Sequence, residues 1–149
     1  MRGQMMDYPL TLTPIIERAR RLYGKKEIVT KAGPTLQRYT YAEFADRVGR
    51  LANALEKLGV RRGDRVATFA WNNARHFELY LAVPCMGAVL HPINLRLPGE
   101  QIAYIINHAD DQVLFVDTTL LPAVEKLAPY LKSVKHFVVM DERVPADCK

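Results

Sequence analysis

The 149-residue sequence is poor in the residues on which several common chemistries depend. It has two cysteines, Cys85 and Cys148, and a single serine, Ser133. One cysteine lies on a predicted core helix and the other in a polar C-terminal stretch, which argues against a disulfide framework and favours a reducing compartment. Ser133 lies between Lys132 and Val134 and not in a G-x-S-x-G turn. The sequence therefore offers no candidate for a serine nucleophile.

Glycine-rich motifs that hold phosphate groups are also missing. The sequence has neither G-x-G-x-x-G nor G-x-x-x-x-G-K-[ST]. The triplet Gly24, Lys25 and Lys26 lacks the upstream glycine, and Glu27 stands where a hydroxyl is required. The histidines show no metal-ligand spacing, and we expect each to have a surface or structural role. They are His76, His91, His108 and His136. The residues alone predict no catalytic, cofactor-binding or metal-binding residue in this chain.

Long apolar runs are absent, and the N-terminal residues lack the apolar segment of a secretory signal. We therefore expect a cytoplasmic protein. The net charge of +5 is modest, and in the first predicted helix a basic stripe contains Arg18, Arg21 and Lys25. Because no aromatic side chains are interleaved with these cations, a solvated helix face is favoured over a nucleic-acid or lipid-headgroup site. We expect no nucleic-acid partner and leave peripheral membrane contact open.

The segment from Arg62 to Asn94 reads as strand, helix and strand, the unit from which parallel sheets are built. A strand is predicted over 66–70, a helix over 74–86 that Pro84 kinks or ends early, and a second strand over 88–91. The spacing predicts that one apolar face of the helix is buried while Arg75, His76 and Glu78 point elsewhere. That face consists of Phe77, Tyr80, Leu81 and Cys85.

Further helices and strands follow the same alternation. A capping box of Thr40 and Glu43 begins the clearest helix, and Thr13 and Thr119 are the predicted N-caps of two others. Ile15, Ala19 and Leu22 form the apolar stripe of the first helix. The remaining predicted elements are a hairpin (27–30 and 36–39), helices over 13–23, 40–58, 98–109 and 119–131, and strands over 112–116 and 135–140.

These elements predict an α/β fold: a doubly wound, mostly parallel sheet flanked by helices, with an additional N-terminal β-hairpin. We divide the chain into a flexible N-terminus (1–12), one α/β subdomain (13–141) and a polar tail (142–149). Ligands of such sheets bind at the carboxyl ends of the strands. A packing role is favoured over ligand stacking for Trp71, and Asp117 is as well suited to a turn as to a hydroxyl or metal contact. The residues at those ends are Trp71, Asn72, Asn94, Arg96, Asp117, Thr118 and Asp141.

Five short segments follow one another in a characteristic order. They are T-Y-A-E from Thr40, G-D-R-V from Gly63, M-G-A-V-L-H-P-I-N from Met86, L-P-G-E-Q-I-A-Y-I-I-N-H-A from Leu97 and V-L-F-V-D from Val113. In this succession the chain resembles the N-terminal part of the AMP-forming acyl-CoA synthetases of the adenylate-forming superfamily, especially the medium- and long-chain fatty-acyl ligases. The resemblance covers nearly the whole chain.

The resemblance implies a two-step reaction in which ATP activates a carboxylate and coenzyme A then displaces AMP. ATP, Mg²⁺ and coenzyme A are implied for the full-length enzyme only. The family's phosphate loop and catalytic lysine lie beyond Lys149, so no catalytic residue is carried over, and Asn94 and Arg96 match an N-x-R-L stretch only at the level of the fold. We expect a fragment that is inactive alone, paired with the remainder of the ligase and forming a homodimer through its hairpin. The alternative is a stand-alone α/β binding or interaction module.

Overall fold

A computed structural model describes residues 7–32 and 35–141. The predicted polar tail, Cys148 and the hairpin residues Gly33 and Pro34 lie outside the described residues. The helices are α1 (Thr13–Tyr23), α2 (Tyr41–Lys57), α3 (Ala74–Cys85), α4 (Gly99–Ala109) and α5 (Leu121–Leu127), with 3-10 turns at Thr118–Leu120 and Ala128–Tyr130. The strands are β1 (Glu27–Ala32), β2 (Thr35–Thr40), β3 (Arg65–Phe69), β4 (Val89–Pro92), β5 (Asp111–Val116) and β6 (His136–Val139).

The strands form two separate sheets. Strands β1 and β2 pair antiparallel as a hairpin, in register from Glu27 opposite Thr40 to Ala32 opposite Thr35. The other four pair in parallel in the order β4-β3-β5-β6. The chain moves from β3 outward to β4 and then crosses back past β3 to β5, so the winding direction reverses. The predicted doubly wound parallel sheet with an added hairpin is confirmed.

Helices cover both faces of the parallel sheet. One face packs against Leu55 of α2 and against Leu79 and Val83 of α3. The other face packs against side chains of α4 and α5, among them Ile102, Ile106, Leu121 and Val124. The two central strands β3 and β5 are therefore apolar on both sides, which is the pattern expected of parallel strands buried between helices. No helix in the described part of the chain is long and apolar enough to cross a bilayer.

Two predicted helix boundaries are confirmed in detail. The Thr40 hydroxyl accepts a hydrogen bond from the Glu43 amide at 3.3 Å, and the Glu43 carboxylate accepts one from the Thr40 amide at 2.7 Å. This capping box satisfies two amides of the first turn of α2. Helix α3 ends at Cys85, one residue after Pro84. Gly87 then adopts a φ of +88°, a left-handed conformation that favours glycine and that turns the chain into β4.

The predicted buried face of α3 is wrong. His76 and Glu78 are buried, whereas Phe77 and Tyr80 are 37% and 42% exposed. The reason is that α3 packs on the sheet on one side and on α2 and the hairpin on another, so a single apolar stripe does not define its interior. Phe77 still makes an apolar contact, because its ring stacks on that of Phe44 with 4.6 Å between centroids.

Two predicted N-caps are also wrong. Thr13 is the first helical residue of α1, and Leu12 occupies the cap position without a side-chain hydrogen bond. Thr119 lies inside a 3-10 turn whose cap is Asp117, because that carboxylate precedes the turn and accepts a hydrogen bond from the Thr119 amide. A short polar side chain caps only from the position just outside the helix, and a sequence does not fix that position to within one or two residues.

Candidate functional site

The carboxyl ends of β3, β4, β5 and β6 lie along one edge of the parallel sheet. The winding reverses between β3 and β5, where ligands of doubly wound sheets bind. The loop after β3 carries Trp71, Asn72 and Asn73, and the loop after β5 carries Asp117 and the threonines that follow it. This switch point is the candidate site that the topology defines.

Side-chain hydrogen bonds join these two loops. The Trp71 indole Nε1–H donates to Thr119 Oγ1 at 2.9 Å, and the Thr119 hydroxyl donates to Asp117 Oδ1 at 3.1 Å. The Asn73 side-chain amide donates to Asp117 Oδ2 at 3.0 Å. Both carboxylate oxygens of Asp117 are thereby occupied, and Asp117 also caps the 3-10 turn that follows it. We call Trp71, Asn73, Asp117 and Thr119 the switch-point cluster.

Trp71, for which a packing role was favoured, lies partly at the surface. Its side chain is 53% exposed, because only its indole nitrogen is anchored while the ring projects from the edge. Asn72 is also exposed. The structure thus presents a fixed aromatic ring beside a hydrogen-bonded polar rim, an arrangement suited to contact with another surface or a planar group.

The other predicted edge residues are placed around this cluster. The Thr118 hydroxyl donates to Asp141 Oδ2 at 2.7 Å, which ties the loop after β5 to the end of β6. In the loop after β4, the Arg96 amide donates to Asn94 Oδ1 at 3.0 Å, a local turn. Within the described residues, neither Asn94 nor Arg96 has a hydrogen bond to the switch-point cluster. The family-like N-x-R-L stretch therefore shapes a turn here.

One buried histidine forms a hydrogen bond to the main chain of the switch-point cluster. His76 is buried, and its Nδ1–H donates to the Trp71 main-chain carbonyl at 3.2 Å. Its Nε2 then accepts from the Thr68 hydroxyl at 2.9 Å. Burial lowers the pKa of His76, with opposing contributions from the Trp71 carbonyl and from Asp117. A neutral imidazole satisfies both partners, so His76 has the structural role that was predicted.

The remaining histidines are dispersed. The His108 ring stacks on that of Tyr104, with 5.4 Å between centroids, and His136 is exposed on β6. His91 donates from Nδ1 to Asp111 Oδ2 at 2.8 Å. Among the residues described, no three histidine, cysteine, aspartate or glutamate side chains are grouped so as to hold a metal ion.

Asp111 is a residue that sequence reasoning missed. It is fully buried at the start of β5, and its Oδ1 has no hydrogen-bond partner among the described residues. Burial raises the pKa of Asp111, against the lowering effects of His91 and Arg65. The sequence does not indicate that Asp111 is buried, since Asp110 and Asp111 together are typical of a turn. Asp110 does form that turn with a φ of +56°, while Asp111 enters the sheet.

A second missed feature is a polar network between the hairpin, α2 and α3. The Glu78 carboxylate accepts hydrogen bonds from the Tyr39 hydroxyl at 3.2 Å and from the Arg47 guanidinium, whose Nη2 lies 3.2 Å from Oε2. Glu78 has only 8% of its side chain exposed. Burial, followed by the charge of Glu78, raises the pKa of Tyr39. Glu78 is 39 positions from Tyr39 and 31 from Arg47, so no local pattern indicates the network.

Neither the serine nor the lysine-rich triplet forms a reactive site. The Ser133 hydroxyl donates to the Ile106 carbonyl at 3.3 Å, a structural bond between the approach to β6 and α4. Gly24 and Lys25 lie in the turn between α1 and β1, and Lys26 packs its ammonium over the Tyr23 ring. This turn is not the strand-to-helix loop that holds phosphates in nucleotide-binding domains.

The fold and the open carboxyl edge define a doubly wound α/β domain of the kind that contributes to nucleotide-using enzymes. A family model described as AMP-binding enzyme matches residues 16–148. The chain belongs to this family of AMP-binding enzymes. The predicted resemblance to the N-terminal part of a fatty-acyl-CoA ligase is confirmed.

Relatives and solved structures agree with that membership. The chain is 53% identical over 142 residues to the long-chain-fatty-acid--CoA ligase of Thermus thermophilus, covering 95% of this chain and 26% of that protein. It is 47% identical over 144 residues to the 3-methylmercaptopropionyl-CoA ligase of Ruegeria lacuscaerulensis, covering 96% of this chain and 27% of that protein. A crystal structure of the anthranilate CoA ligase AuaEII in complex with anthranoyl-AMP aligns with a TM-score of 0.79 at 26% identity, covering 90% of this chain and 26% of that one. The chain spans about a quarter of the length of these relatives.

Proposed function

We propose that this chain is the N-terminal segment of an AMP-forming fatty-acyl-CoA ligase. The observation that carries the proposal is the 53% identity, over almost the whole chain, to a long-chain-fatty-acid--CoA ligase. In the proposed reaction a fatty-acid carboxylate oxygen attacks the α-phosphorus of ATP, and pyrophosphate leaves. The thiol of coenzyme A then attacks the acyl carbon, and AMP leaves as the thioester forms.

The role proposed for this chain within the ligase is that of a scaffold, with residues 13–141 as its folded unit. The carboxylate and hydroxyl groups of the switch-point cluster form hydrogen bonds within the cluster. The cluster therefore holds the two loops at the edge of the sheet against which the rest of the ligase is proposed to pack. ATP and coenzyme A are proposed to bind mainly to the other parts of the ligase. Mg²⁺ is likewise proposed to bind with ATP in the other parts of the ligase, and no step of the reaction is assigned to a metal in this chain.

The acid substrate is the part of the proposal most open to direct measurement. The gene product that contains this chain is incubated with ATP, Mg²⁺, coenzyme A and a panel of straight-chain fatty acids together with 3-methylmercaptopropionate. We expect AMP and acyl-CoA to appear in equal amounts with long-chain acids. Formation of ADP in place of AMP, or no thioester with any acid, would overturn the proposal. Preference for 3-methylmercaptopropionate would overturn the fatty-acid assignment alone.

We also propose a cytoplasmic homodimer. The hairpin is a two-stranded sheet whose outer edges are unpaired in the described part of the chain, and its Val29 and Leu36 are 46% and 57% exposed. Pairing with the hairpin of a second copy would satisfy these groups, and a cytoplasm would keep the Cys85 thiol free. Light scattering coupled to gel filtration is expected to give a dimer mass that Val29→Glu with Leu36→Glu converts to a monomer. A monomeric wild type would overturn this proposal.

A further inference from the structure

The outer face of α1 exposes apolar side chains that no other part of the described structure covers. The helix has no buried residue, although its sequence is amphipathic. Ile15 and Leu22, predicted members of an inward apolar stripe, are each 60% exposed. Just before the helix, Leu10 is 96% and Leu12 is 40% exposed. Ile16 alone of the helix's large aliphatic residues joins the cluster around Phe44.

Much of the positive charge of the chain lies on this helix and in the turn that follows it. Residues 13–26 contain five basic side chains and a single acidic one, Glu17, a net charge of +4 within a chain whose total is +5. Arg20 pairs with Asp46 of α2 at 3.4 Å. In the part of the chain that the structure describes, neither Arg18 nor Arg21 has such an acidic partner. These two guanidinium groups lie on the side of α1 that faces away from α2.

The cations adjoin exposed apolar side chains on α1. Ile15, Arg18 and Leu22 are spaced by three and four residues and therefore lie on one stripe of the helix. Arg18, Arg21 and Leu22 also line a concave surface of about 800 Å³ together with Glu17 and Tyr8. Ile15 lines a neighbouring apolar groove with Ile16 and Phe44. We call Leu12, Ile15, Arg18, Arg21 and Leu22 the α1 face.

We propose that the α1 face binds the surface of an anionic lipid bilayer. A helix that carries arginines beside exposed leucine and isoleucine lies in the plane of a membrane interface, where the aliphatic groups enter the acyl boundary and the cations contact lipid phosphates and carboxylates. Each basic side chain at such a surface contributes to binding through attraction to anionic lipids. The α1 face supplies both contributions on one side of the molecule.

Charge complementarity favours this occupant over the alternatives. A second copy of the chain would bring another helix of net charge +2 against the first, and like charges repel. An apolar surface of the remaining ligase would leave Arg18 and Arg21 desolvated and unpaired, which costs more than the apolar contact provides. An anionic bilayer is the surface that satisfies both groups. The inference does not depend on the ligase assignment.

The test measures binding of the 149-residue chain to vesicles by flotation. Vesicles of phosphatidylcholine with about 30% phosphatidylserine are compared with pure phosphatidylcholine. We expect binding to the anionic vesicles only, and a loss of binding as salt rises from about 0.05 to 0.5 M. Arg18→Gln with Arg21→Gln is expected to weaken the partition coefficient about tenfold or more. Ile15→Ser with Leu22→Ser is expected to weaken it as well.

A matched control removes the same charge elsewhere. Arg50→Gln with Lys57→Gln changes two exposed cations on α2 and is expected to leave vesicle binding within about twofold of wild type. Circular dichroism and urea unfolding verify that each variant folds. The proposal is overturned by equal binding to both kinds of vesicle, or by α1-face variants that bind like wild type. It is also overturned if Ile15→Ser with Leu22→Ser converts a dimer to a monomer without changing vesicle binding.

Discussion

Thr68 on β3 and His76 on α3 form a buried hydrogen bond, with 2.9 Å between Oγ1 and Nε2. The His76 ring also reaches the Trp71 carbonyl, so one imidazole joins the central strand to the loop that carries the exposed indole. Burial lowers the pKa of His76 and so favours the neutral ring, in which the Thr68 hydroxyl donates to Nε2. We therefore expect the stability of this region to depend on pH.

Replacement of His76 is expected to reduce the dependence of stability on pH. Because burial lowers the pKa of His76 in the folded chain, the unfolded chain takes up the proton first as the pH falls below about 6.5. The free energy of unfolding therefore decreases between about pH 7 and pH 5 in the wild type. Urea unfolding of His76→Gln should show a smaller decrease over that range. His108→Gln, an exposed control, should behave like the wild type, and equal slopes for all three proteins would contradict this role.

Ionisation of Asp111 is expected to change stability with pH in the opposite direction to that of His76. The pKa of Asp111 is raised by burial, so the folded chain holds the proton to higher pH than the unfolded chain, and stability falls as the pH rises above about 3.9 through the folded pKa. The Asp111→Asn variant does not lose stability in this way, because asparagine does not ionise. Chemical unfolding should show that the variant gains stability relative to the wild type between about pH 4 and pH 7. A variant that instead loses relative stability over that interval would show that the His91 contact keeps Asp111 ionised.

Glu78 is expected to hold the hairpin on the helical layer. Its carboxylate accepts bonds from Tyr39 and Arg47, which belong to β2 and α2. Since Arg47 remains partly exposed to solvent, we expect Glu78→Gln to cost about 1–3 kcal/mol of unfolding free energy. The matched control Glu56→Gln, exposed on α2, should stay within about 0.5 kcal/mol of wild type. Hydrogen exchange should be faster in β1 and β2 of the Glu78 variant, and unchanged exchange there would contradict the assignment.

Replacement of two glycines by alanine is expected to change the stability of the chain in opposite directions. A Cβ on Gly24 would lie 2.5 Å from the Arg20 carbonyl oxygen, whereas a Cβ on Gly49 would meet nothing within 4 Å. Gly24→Ala should therefore destabilise the chain by about 1–3 kcal/mol through a backbone shift at the end of α1. Gly49→Ala should stabilise it by about 0.5–1 kcal/mol, because alanine favours the helix interior. Thermal unfolding of both variants measures the two effects, and a neutral Gly24→Ala would show that the turn relaxes freely.

The elements of this fold were predictable because their patterns are local. Apolar runs at β3 and β5, the Thr40 capping box and the break at Gly87 each depend on neighbouring residues, and all are found where they were expected. The burial of Glu78 and Asp111 was not predictable, since each is compensated by partners from distant parts of the chain. The exposure of Trp71 was not predicted for a similar reason. Its anchor is Thr119, a residue that was expected to cap a helix.

The candidate site was predictable as an edge but not as a set of contacts. Strand ends in a parallel sheet lie together, so Trp71 and Asp117 were both expected along one edge. The strand order that makes β3 and β5 neighbours was not predicted. The link between Trp71 and Asp117 through Thr119 depends on the exact start of a 3-10 turn, which propensities do not resolve. The five family-like segments identified the family because their order along the chain combines several local similarities, each of which is weak alone.

The central claim is that this chain is a scaffold segment of an AMP-forming ligase and does not itself contain the machinery for adenylation. ATP–pyrophosphate exchange by the purified 149-residue chain, with long-chain fatty acids and Mg²⁺, tests that claim most directly. The account predicts exchange at the level of a protein-free control. Exchange above that level, abolished by Asp117→Asn or Trp71→Ala, would contradict it and would make the switch-point cluster an active site.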